Sequence, residues 1–347
     1  MRIDSTKVTK GVSVVICCYN SAQRLPQTLR HLALQQVPSE IDWEVIVVDN
    51  ASTDNTAIIA QEEWQKFESA HLTLKIVGEP RPGKIKAFEK GVDEASYEYI
   101  VLCDDDNWLN PTYIKTAFDI MQADNNIGVL GANGQFEPEM PVNDFAVKHR
   151  KAYVNGPQPD AESQHWVYGA GSVIRRTALL QLKRLGFMMI TPGRVGKKLN
   201  GGEDVELCFA IYLMGYKIKA DDRLLFRHFV PLSRQNIKFI NQLTYWSSYS
   251  NVLLSGYFHK LQQNPEPLKK VLRRWQQICF TNLVKFRLIL LYKRFLKREV
   301  ITEQDQINLA NLSGHTKALF TRKTDIIEHQ EHLHSLAARL KIFDYAA

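Results

Sequence analysis

Tyr99-Ile100-Val101-Leu102-Cys103-Asp104-Asp105-Asp106-Asn107-Trp108 is the stretch that decides the fold. Five residues suited to a buried strand run directly into three acids, and a strand of that composition is normally covered on both faces. Open α/β sheets place their ligands where the chain leaves such a strand. Three adjacent carboxylates repel one another unless a cation offsets their charge, and hard oxygen ligands suit Mg²⁺ or Mn²⁺. The alternative is an acidic turn that caps a helix beginning near Pro111.

Strands and helices alternate on the N-terminal side of this stretch, which is the signature of a parallel α/β sheet. Ser21 is expected to cap the first helix, and Pro26 falls in its first turn. Another predicted helix carries Lys84 and Lys86 in its first turn. The predicted strands are Val12–Cys18, Trp43–Val48, Leu72–Val77 and the strand that ends at Cys103.

The C-terminal side is less regular. A strand is expected at Ile127–Leu130, an irregular stretch at 133–165, and order again at Val167–Arg176. Glycines, prolines and cations between Gly186 and Gly202 predict a mobile loop. The remaining expectations are a helix that follows Gly201–Asp204 and is closed by Gly215, short strands at Tyr216–Ala220 and Leu224–Arg227, and helices beyond Arg234 with a break near Pro265 and Pro267.

These patterns predict two parts. Residues 1–232 form a catalytic domain, with a nucleotide half at about 11–132 and an acceptor half at about 133–232, and residues 233–347 form a basic helical region. The length of 347 residues allows a large core plus an appendage.

Composition indicates a globular protein of a reducing compartment. Hydrophobic residues make up 45% and charged residues 23% of the chain, and the five cysteines lack the spacing of a disulfide framework. Met1 to Lys10 is polar, so no signal peptide is expected, and no stretch reaches the roughly 18 apolar residues of a spanning helix. The expected location is cytoplasmic, either free or peripheral on the cytoplasmic face of the membrane.

Four motifs in order resemble those of family 2 glycosyltransferases, over residues 11 to 230. Val14–Asn20, Val47–Asp54 and Leu102–Leu109 are similar to the family's strand-end motifs, and Gly202–Asp204 with Gly215–Lys217 resembles its acceptor-side motif. The resemblance implies a GT-A fold with a mostly parallel, Rossmann-like sheet and inversion at the anomeric carbon. It also implies a nucleotide-sugar donor, with UDP favoured by family frequency, and Mn²⁺ or Mg²⁺ as cofactor.

The residues on the donor side fit that chemistry. Tyr19 offers an aromatic face for a nucleobase, and Asp49 can accept a hydrogen bond from a base or a ribose. The alternatives are a half-buried core aromatic and an acid at a helix N-terminus. Lys84 begins a helix, where a cation is misplaced unless an anion such as a diphosphate lies near; Lys86 is as well explained as a solvated lysine. The predicted nucleotide-sugar site comprises Cys18, Tyr19, Asn20, Asp49, Lys84, Asp104 and Asp105.

The resemblance also implies roles for acids and for one histidine. Asp104 contacts ribose or metal, Asp106 ligates the metal, and Asn107 stands where the family usually has a further acid. Asp204 matches the general base, which an acceptor hydroxyl needs because it is weakly acidic. Glu203 is the second catalytic candidate, or it orients substrate or caps the helix. His228 is a candidate metal or phosphate contact, with a structural histidine as the alternative.

The basic charge is concentrated in one segment. Of the net +7, residues Gln235–Val300 hold 12 lysines and arginines against two acids, a net +10, which leaves −3 elsewhere. In this segment, residues 269–298 interleave cations with apolar and aromatic residues, and Arg287, Arg294 and Arg298 have the spacing of one helix face. Such a helix suits anionic lipid headgroups; a helical appendage packed on the core is the alternative, and RNA binding has no supporting motif.

The sequence therefore predicts a metal-dependent inverting glycosyltransferase acting on a hydroxyl of a growing glycan or a lipid-linked saccharide. No nucleic acid is expected as a partner. A sugar-nucleotide nucleotidyltransferase would need a glycine-rich loop after the first strand, where Cys17–Asn20 stands instead. A catalytically inactive glycan-binding or scaffold protein would be expected to lose Asp106 or Asp204, and both are present.

Overall fold

The structure, a computed structural model, describes residues 9–67, 72, 74–154, 156–158, 160–196, 198–262 and 265–344. Most of the polar segment Met1–Lys10, with residue 73 of the predicted third strand, thus lies outside the described residues. The chain divides into two compact units. The first runs up to Phe187 and includes Leu207–Leu232; the second comprises Met188–Glu206 and the chain from Ser233 onward.

The first unit is built on an eight-stranded mixed sheet. Its strands are β1 (Thr9–Cys18), β2 (Trp43–Asp49), β3 (Leu74–Gly78), β4 (Tyr97–Cys103), β5 (Asn107–Leu109), β6 (Ile127–Pro138), β7 (Val173–Arg175) and β8 (Lys217–Val230). The order across the sheet is β3-β2-β1-β4-β7-β6-β8-β5. Strands β3, β2, β1 and β4 are parallel to one another, and β6 is parallel to β8. Strand β7 is antiparallel to both β4 and β6, and β5 is antiparallel to β8. The predicted α/β class is therefore confirmed.

Helices cover the sheet and fill the connections between its strands. The central strands are apolar throughout, as in a sheet buried on both faces: Val14 and Ile16 of β1 and Val101 of β4 are fully buried. The helices are α1 (Leu25–Ala33), α2 (Thr56–Gln65), α3 (Lys84–Glu94), α4 (Tyr113–Ala123), α5 (Asp144–Lys148), α6 (Arg150–Tyr153), α7 (Ala161–Gln164), α8 (Arg176–Arg184) and α9 (Glu203–Leu213), whose first turn lies in the second unit.

Three local predictions were wrong. Ser21 does not cap α1 with its side chain: Arg24 stands at the N-cap, and the Ser21 hydroxyl accepts from the Tyr19 N–H and donates to Asp105. The stretch after residue 133 is not wholly irregular, since β6 runs on to Pro138 and three short helices follow. The two short strands predicted at 216–227 are one strand, β8, which shifts register against β6 between Gly131 and Asn133.

The second unit is helical, as predicted beyond Arg234. Its helices are α10 (Ile237–Leu253), α11 (Ser255–Leu261), α12 (Leu268–Leu291), α13 (Glu303–Thr321) and α14 (Lys323–Asp344), with a π-helical turn at Tyr292–Leu296. Val252, Leu272 and Leu319 belong to its buried core. Among the described residues, none of the helices is both long enough and apolar enough to cross a membrane.

Candidate active site

The polar residues that follow the parallel strands meet at one edge of the sheet. In the register of the sheet Cys18 pairs with Asp49, Asp49 with Gly78, and Ile16 with Cys103. The chain leaves all four strands at the same level, so the loops that begin at these residues are neighbours. This edge is where open α/β sheets bind ligands.

The loops after β1 and β2 are locked together in a conformation that costs free energy. Asn20 and Ala51 have positive φ angles of 50° and 57°, although neither is a glycine. The Asn20 N–H donates to the Ser52 hydroxyl at 3.1 Å, and Thr53 N–H donates to Asn20 Oδ1 at 2.8 Å. Non-glycine residues held in this region cluster at functional sites, and here two of them fix the entrance to the predicted nucleotide site.

Two predicted nucleotide contacts differ in accessibility. The Tyr19 ring is 49% exposed at the end of β1, and its face is therefore available for stacking. The Cys18 side chain is buried, and burial, followed by the charge of Asp105, raises the pKa of its thiol well above the usual value. Cys18 therefore packs in the core. Asp49 is half-buried and accepts a hydrogen bond from the Ser52 N–H at 3.2 Å.

Asn50, which the sequence reasoning did not single out, holds a loop next to the candidate site. Its buried amide donates to the Glu79 and Arg81 carbonyls at 3.0 and 2.7 Å and accepts from the Gly83 N–H at 2.7 Å. Asn50 thereby shapes the loop that ends at Lys84. Arg81 also holds the Glu79 carboxylate through side-chain and backbone hydrogen bonds, which lower the pKa of Glu79 to about 2.

The three acids after β4 have three different environments, and Asp105 is the one used to hold the loop. Arg24 Nη2 lies 2.5 Å from Asp105 Oδ2, the Ser21 hydroxyl also donates to that oxygen, and Thr28 donates to the Asp105 carbonyl at 2.8 Å. Burial and the charge of Asp106 raise the pKa of Asp105, while Arg24 acts against them. These contacts fix the position of the acids on either side.

Asp104 is joined to the predicted diphosphate lysine. Lys84 Nζ donates to Asp104 Oδ1 at 2.8 Å, and both side chains are partly exposed. The structure thus brings together two residues that the sequence separates by 20 positions. Lys86 does not join them, because it pairs with Glu89 at 2.8 Å on the exposed face of α3, as expected of a solvated lysine.

Asp106 lies close to His228 of β8, the histidine predicted as a candidate metal or phosphate contact. His228 Nε2 lies 3.4 Å from Asp106 Oδ1, and Asp106 is only 4% exposed. The pairing of β5 with β8 explains this approach, since Asn107 lies opposite His228 in the register. Next to Asp106, the fully buried Asn107 amide has neither its nitrogen nor its oxygen in a hydrogen bond.

An aromatic stack holds β5 against β8. The Trp108 ring stacks on His31 and on Phe229, with centroids 5.6 and 5.2 Å apart, and the Arg227 guanidinium lies 5.2 Å from the Trp108 centroid. Burial and the Arg227 charge lower the pKa of His31, so the neutral ring is favoured there. This packing fixes the register that sets Asp106 opposite His228.

These residues fit a divalent cation whose coordination is completed by substrate. Within the described ranges, no three or more His, Cys, Asp or Glu side chains form a metal-binding group. Mg²⁺, however, is usually held by one or two carboxylates together with substrate phosphates, and histidine is a frequent metal ligand. Asp106 supplies one such carboxylate, and the His228 imidazole lies 3.4 Å from it, at the edge where open α/β sheets bind ligands.

The predicted base lies in the second unit. Glu203 and Asp204 form the first turn of α9, both half-buried, and Asp204 Oδ1 accepts from the Val205 N–H at 2.9 Å. Gly202, just before them, has a φ of 91° and brings the chain into the helix in a conformation that other residues rarely adopt.

Glu206, in the same first turn of α9, is a second residue that the sequence reasoning missed. Its fully buried carboxylate accepts from the N–H groups of Ile190 and Thr191 at 2.9 Å each, and from the Tyr257 hydroxyl at 3.1 Å. His329 Nε2 lies 3.3 Å away. Glu206 therefore fastens the loop that precedes α9 to helices α11 and α14. Only its apolar flank, Val205 and Leu207, could have suggested burial.

Comparison with known proteins gives three findings. Residues 13–182 match the model of a family described as Glycosyl transferase family 2. A poly-beta-1,6-N-acetyl-D-glucosamine synthase of Staphylococcus epidermidis is 22% identical over 269 residues, which are 73% of this chain and 61% of that protein. A cholesterol galactosyltransferase of Borreliella burgdorferi is 26% identical over 152 residues, which are 42% of this chain and 40% of that protein. The chain thus matches between 40% and 61% of the length of these two relatives.

Among solved structures, the chain is similar to a mannosyltransferase from Pyrobaculum calidifontis in complex with GDP-Man and Mn²⁺. The TM-score is 0.52 at 21% identity, over 97% of this chain and 90% of that one. At this level of identity the likeness concerns the fold.

Proposed function

Because this chain is a glycosyltransferase with a family 2 domain over residues 13–182 and a GT-A fold, we propose that it is metal-dependent and inverting. The proposed donor is a UDP-sugar, and the acceptor is a hydroxyl of a growing glycan or a lipid-linked saccharide. The resemblance and the fold class expected from the strand-end motifs are confirmed by the family match and the likeness of fold. The observation that carries the proposal is the strand-end cluster, with Lys84 on Asp104 and His228 on Asp106.

The strand-end cluster suits a departing diphosphate. Lys84 is a cation in the first turn of α3, where the helix dipole already favours an anion. Its present partner is Asp104, so an incoming diphosphate would compete with that carboxylate for the ammonium group. Negative charge develops on the diphosphate as the sugar leaves, and a preorganised cation stabilises that charge most in the transition state.

Asp106 and His228 would hold the metal, with Asp104 as a further contact to metal or ribose. A bound Mn²⁺ or Mg²⁺ would neutralise negative charge on the leaving group. The buried contacts of Asp105 would keep the acid loop in place, and Tyr19 and Asp49 would contact the nucleoside. Asn20 and the Cys18 backbone would line the same site.

Asp204 is the proposed general base. It would take the proton of the acceptor hydroxyl while the hydroxyl oxygen bonds to the anomeric carbon and the bond from that carbon to the diphosphate oxygen breaks. Attack from the face opposite the leaving group inverts the anomeric centre. Glu203 would orient the acceptor, and it is the next candidate if Asp204 is not the base.

The test is a donor screen with the full chain. UDP- and GDP-sugars are incubated with Mn²⁺ or with a chelator, and release of the nucleoside diphosphate is measured. Release that needs both the metal and Asp106 would support the proposal. Release of pyrophosphate would indicate a nucleotidyltransferase, and no turnover of any donor would indicate a glycan-binding or scaffold protein.

We further propose that the enzyme works in the cytoplasm and meets lipid-linked acceptors at the cytoplasmic face of the membrane. The basic segment 269–298 is the part of the chain that would approach that surface.

A further inference from the structure

Helix α12 has two apolar faces, and only one of them is covered. Leu268, Leu272, Cys279 and Leu283 have helical spacing and are buried, and the first three belong to the core of the second unit. The other face is open to solvent. We call this face, with the π-helical turn and the residues up to Val300, the α12 outer surface. Its exposed apolar residues are Ile278, Phe280, Val284, Leu288, Ile289, Leu291, Tyr292, Phe295, Leu296 and Val300.

The outer surface contains a continuous stripe. Val284, Leu288, Leu291 and Phe295 are spaced by four, three and four residues, which places them along one side of a helix. Leu288 is 60% exposed and Phe295 66% exposed. The stripe widens at Phe280, whose ring centroid is 5.7 Å from that of the exposed Phe320 on α13. Contiguous apolar patches of this kind mark interaction sites on proteins.

Cations flank the stripe, and most of them point to solvent. Lys293 is half-buried and binds both carboxylate oxygens of Asp305 at 3.0 Å, so it supports the fold. Arg298 lies beyond the helix with a φ of 56°, so the single helix face expected for Arg287, Arg294 and Arg298 is not continuous. The exposed cations of the outer surface are Lys285, Arg287, Arg294, Lys297 and Arg298, and its one acid is Glu299.

The combination of charge and exposed apolar side chains selects one kind of partner. A second copy of this chain would bring the same cations against one another, and their repulsion opposes a symmetric dimer. Nucleic acid would neutralise the cations but would leave the apolar stripe in water. An anionic lipid surface satisfies both, since acyl chains accept the apolar side chains and headgroups meet the cations.

We propose that the α12 outer surface binds an anionic membrane, with Val284, Leu288, Leu291 and Phe295 inserted at the acyl boundary. Arg287, Arg294 and Arg298 then pair with lipid phosphates. This inference deepens the location given under the proposed function. Its test reads vesicle binding without any transfer reaction, so its failure would leave the proposed reaction untouched.

The experiment is co-flotation of the full chain with phosphatidylcholine vesicles that contain either no anionic lipid or 30% phosphatidylglycerol. The unmodified chain should float with the anionic vesicles and remain behind with the neutral ones. Arg287→Gln, Arg294→Gln and Arg298→Gln together should weaken partitioning roughly a hundredfold, since each cation near such a surface contributes about a factor of five. Leu288→Gln, Leu291→Gln and Phe295→Gln together should also abolish flotation.

A matched control removes three cations elsewhere. Lys66→Gln, Lys115→Gln and Lys183→Gln lower the net charge equally, and each of these exposed lysines pairs with an acid in the first unit. This variant should float like the unmodified chain, and circular dichroism should show all variants folded. Equal loss in the control, equal partitioning into neutral vesicles, or full binding of the apolar variant would overturn the proposal. So would sedimentation velocity showing a dimer that only the apolar variant dissociates.

Discussion

The two units each contain a run of acidic residues, and each run holds several negative charges close together in a different way. Asp104–Asp106 follows a buried strand in the first unit, and Glu203, Asp204 and Glu206 open helix α9 in the second. In each stretch, one carboxylate makes buried contacts that hold the local structure together. Asp105 is buried against Arg24 and Ser21, and Glu206 is buried against two backbone N–H groups and Tyr257.

The two buried carboxylates, Asp105 and Glu206, differ in the groups that contact them. Asp105 has a guanidinium partner and a like charge beside it, and its pKa is raised by burial and by Asp106. The Glu206 carboxylate is surrounded by donors, and burial together with Glu206 raises the pKa of Tyr257. Each run of acids thus contains one carboxylate held by donors of the fold beside those proposed to react, and burial alone does not separate them, since Asp106 is only 4% exposed. Four substitutions test this division.

The largest effect is expected from Asp106→Ala, at the reacting end of the first stretch. Nucleotide affinity measured in Mn²⁺ by calorimetry should fall to the affinity measured in a chelator, and transfer should be lost with it, because the proposed metal ligand is removed. The fold should survive, since the change relieves like-charge crowding. Asp119→Ala on the exposed face of α4 is the control and should bind nucleotide normally. Unchanged affinity of the Asp106 variant in metal would remove Asp106 from the site.

Asp204→Asn tests the reacting acid of the second stretch. Asparagine has nearly the same shape but cannot take a proton, so kcat should fall by a factor on the order of 10² to 10⁴. The donor KM should stay near its original value, which is the pattern of an interaction lost only in the transition state. Transfer kinetics with a true acceptor measure both constants. Full kcat would move the role to Glu203.

Glu206→Leu tests the fastening acid of α9. Leucine fills similar space but leaves the Ile190 and Thr191 N–H groups and the Tyr257 hydroxyl without their acceptor. The free energy of unfolding should drop by about 3–5 kcal/mol, as for other broken buried charge networks. Urea denaturation gives the value, and Glu328→Leu on the exposed side of α14 should change it by less than about 0.5 kcal/mol. Equal stability of the two variants would contradict the fastening role.

Asp105→Asn should have the smallest effect of the four. The amide keeps a hydrogen-bond acceptor for Arg24 or Ser21 but loses the charge, which should cost about 1–3 kcal/mol of stability. Nucleotide affinity in Mn²⁺ should fall less than in Asp106→Ala. If the Asp105 variant loses metal-dependent affinity as completely as the Asp106 variant, the division of labour within this stretch is wrong.

The parallel part of the sheet, and the edge at which the candidate site lies, could be predicted from the sequence. Strands β1, β2 and β4 could be predicted because their apolar runs are continuous and polar residues follow each of them, so period and composition agree. Lys84 was predicted to serve the nucleotide site because a cation at the start of a helix needs an anion such as a diphosphate, and Asp104 because of the resemblance to family 2 glycosyltransferases. Asp106 and Asp204 were named because they lie in motifs that resemble those of the family, and His228 because the resemblance places a histidine near this position.

Only the tertiary structure decided which side chains touch. Nothing local in the sequence separates Asp105 from its neighbours, because its burial depends on Arg24 and Ser21, about 80 residues earlier. Asn50 and Glu206 act through contacts that depend on how loops return to the sheet or to α11 and α14. The sequence analysis predicted two short strands where the structure has the single strand β8. The register shift within β8 arises from its pairing with β6, which the local sequence does not report. Periodicity reports the environment of a residue along its own element, whereas the pairing of two distant polar groups is fixed only when the elements that carry them pack.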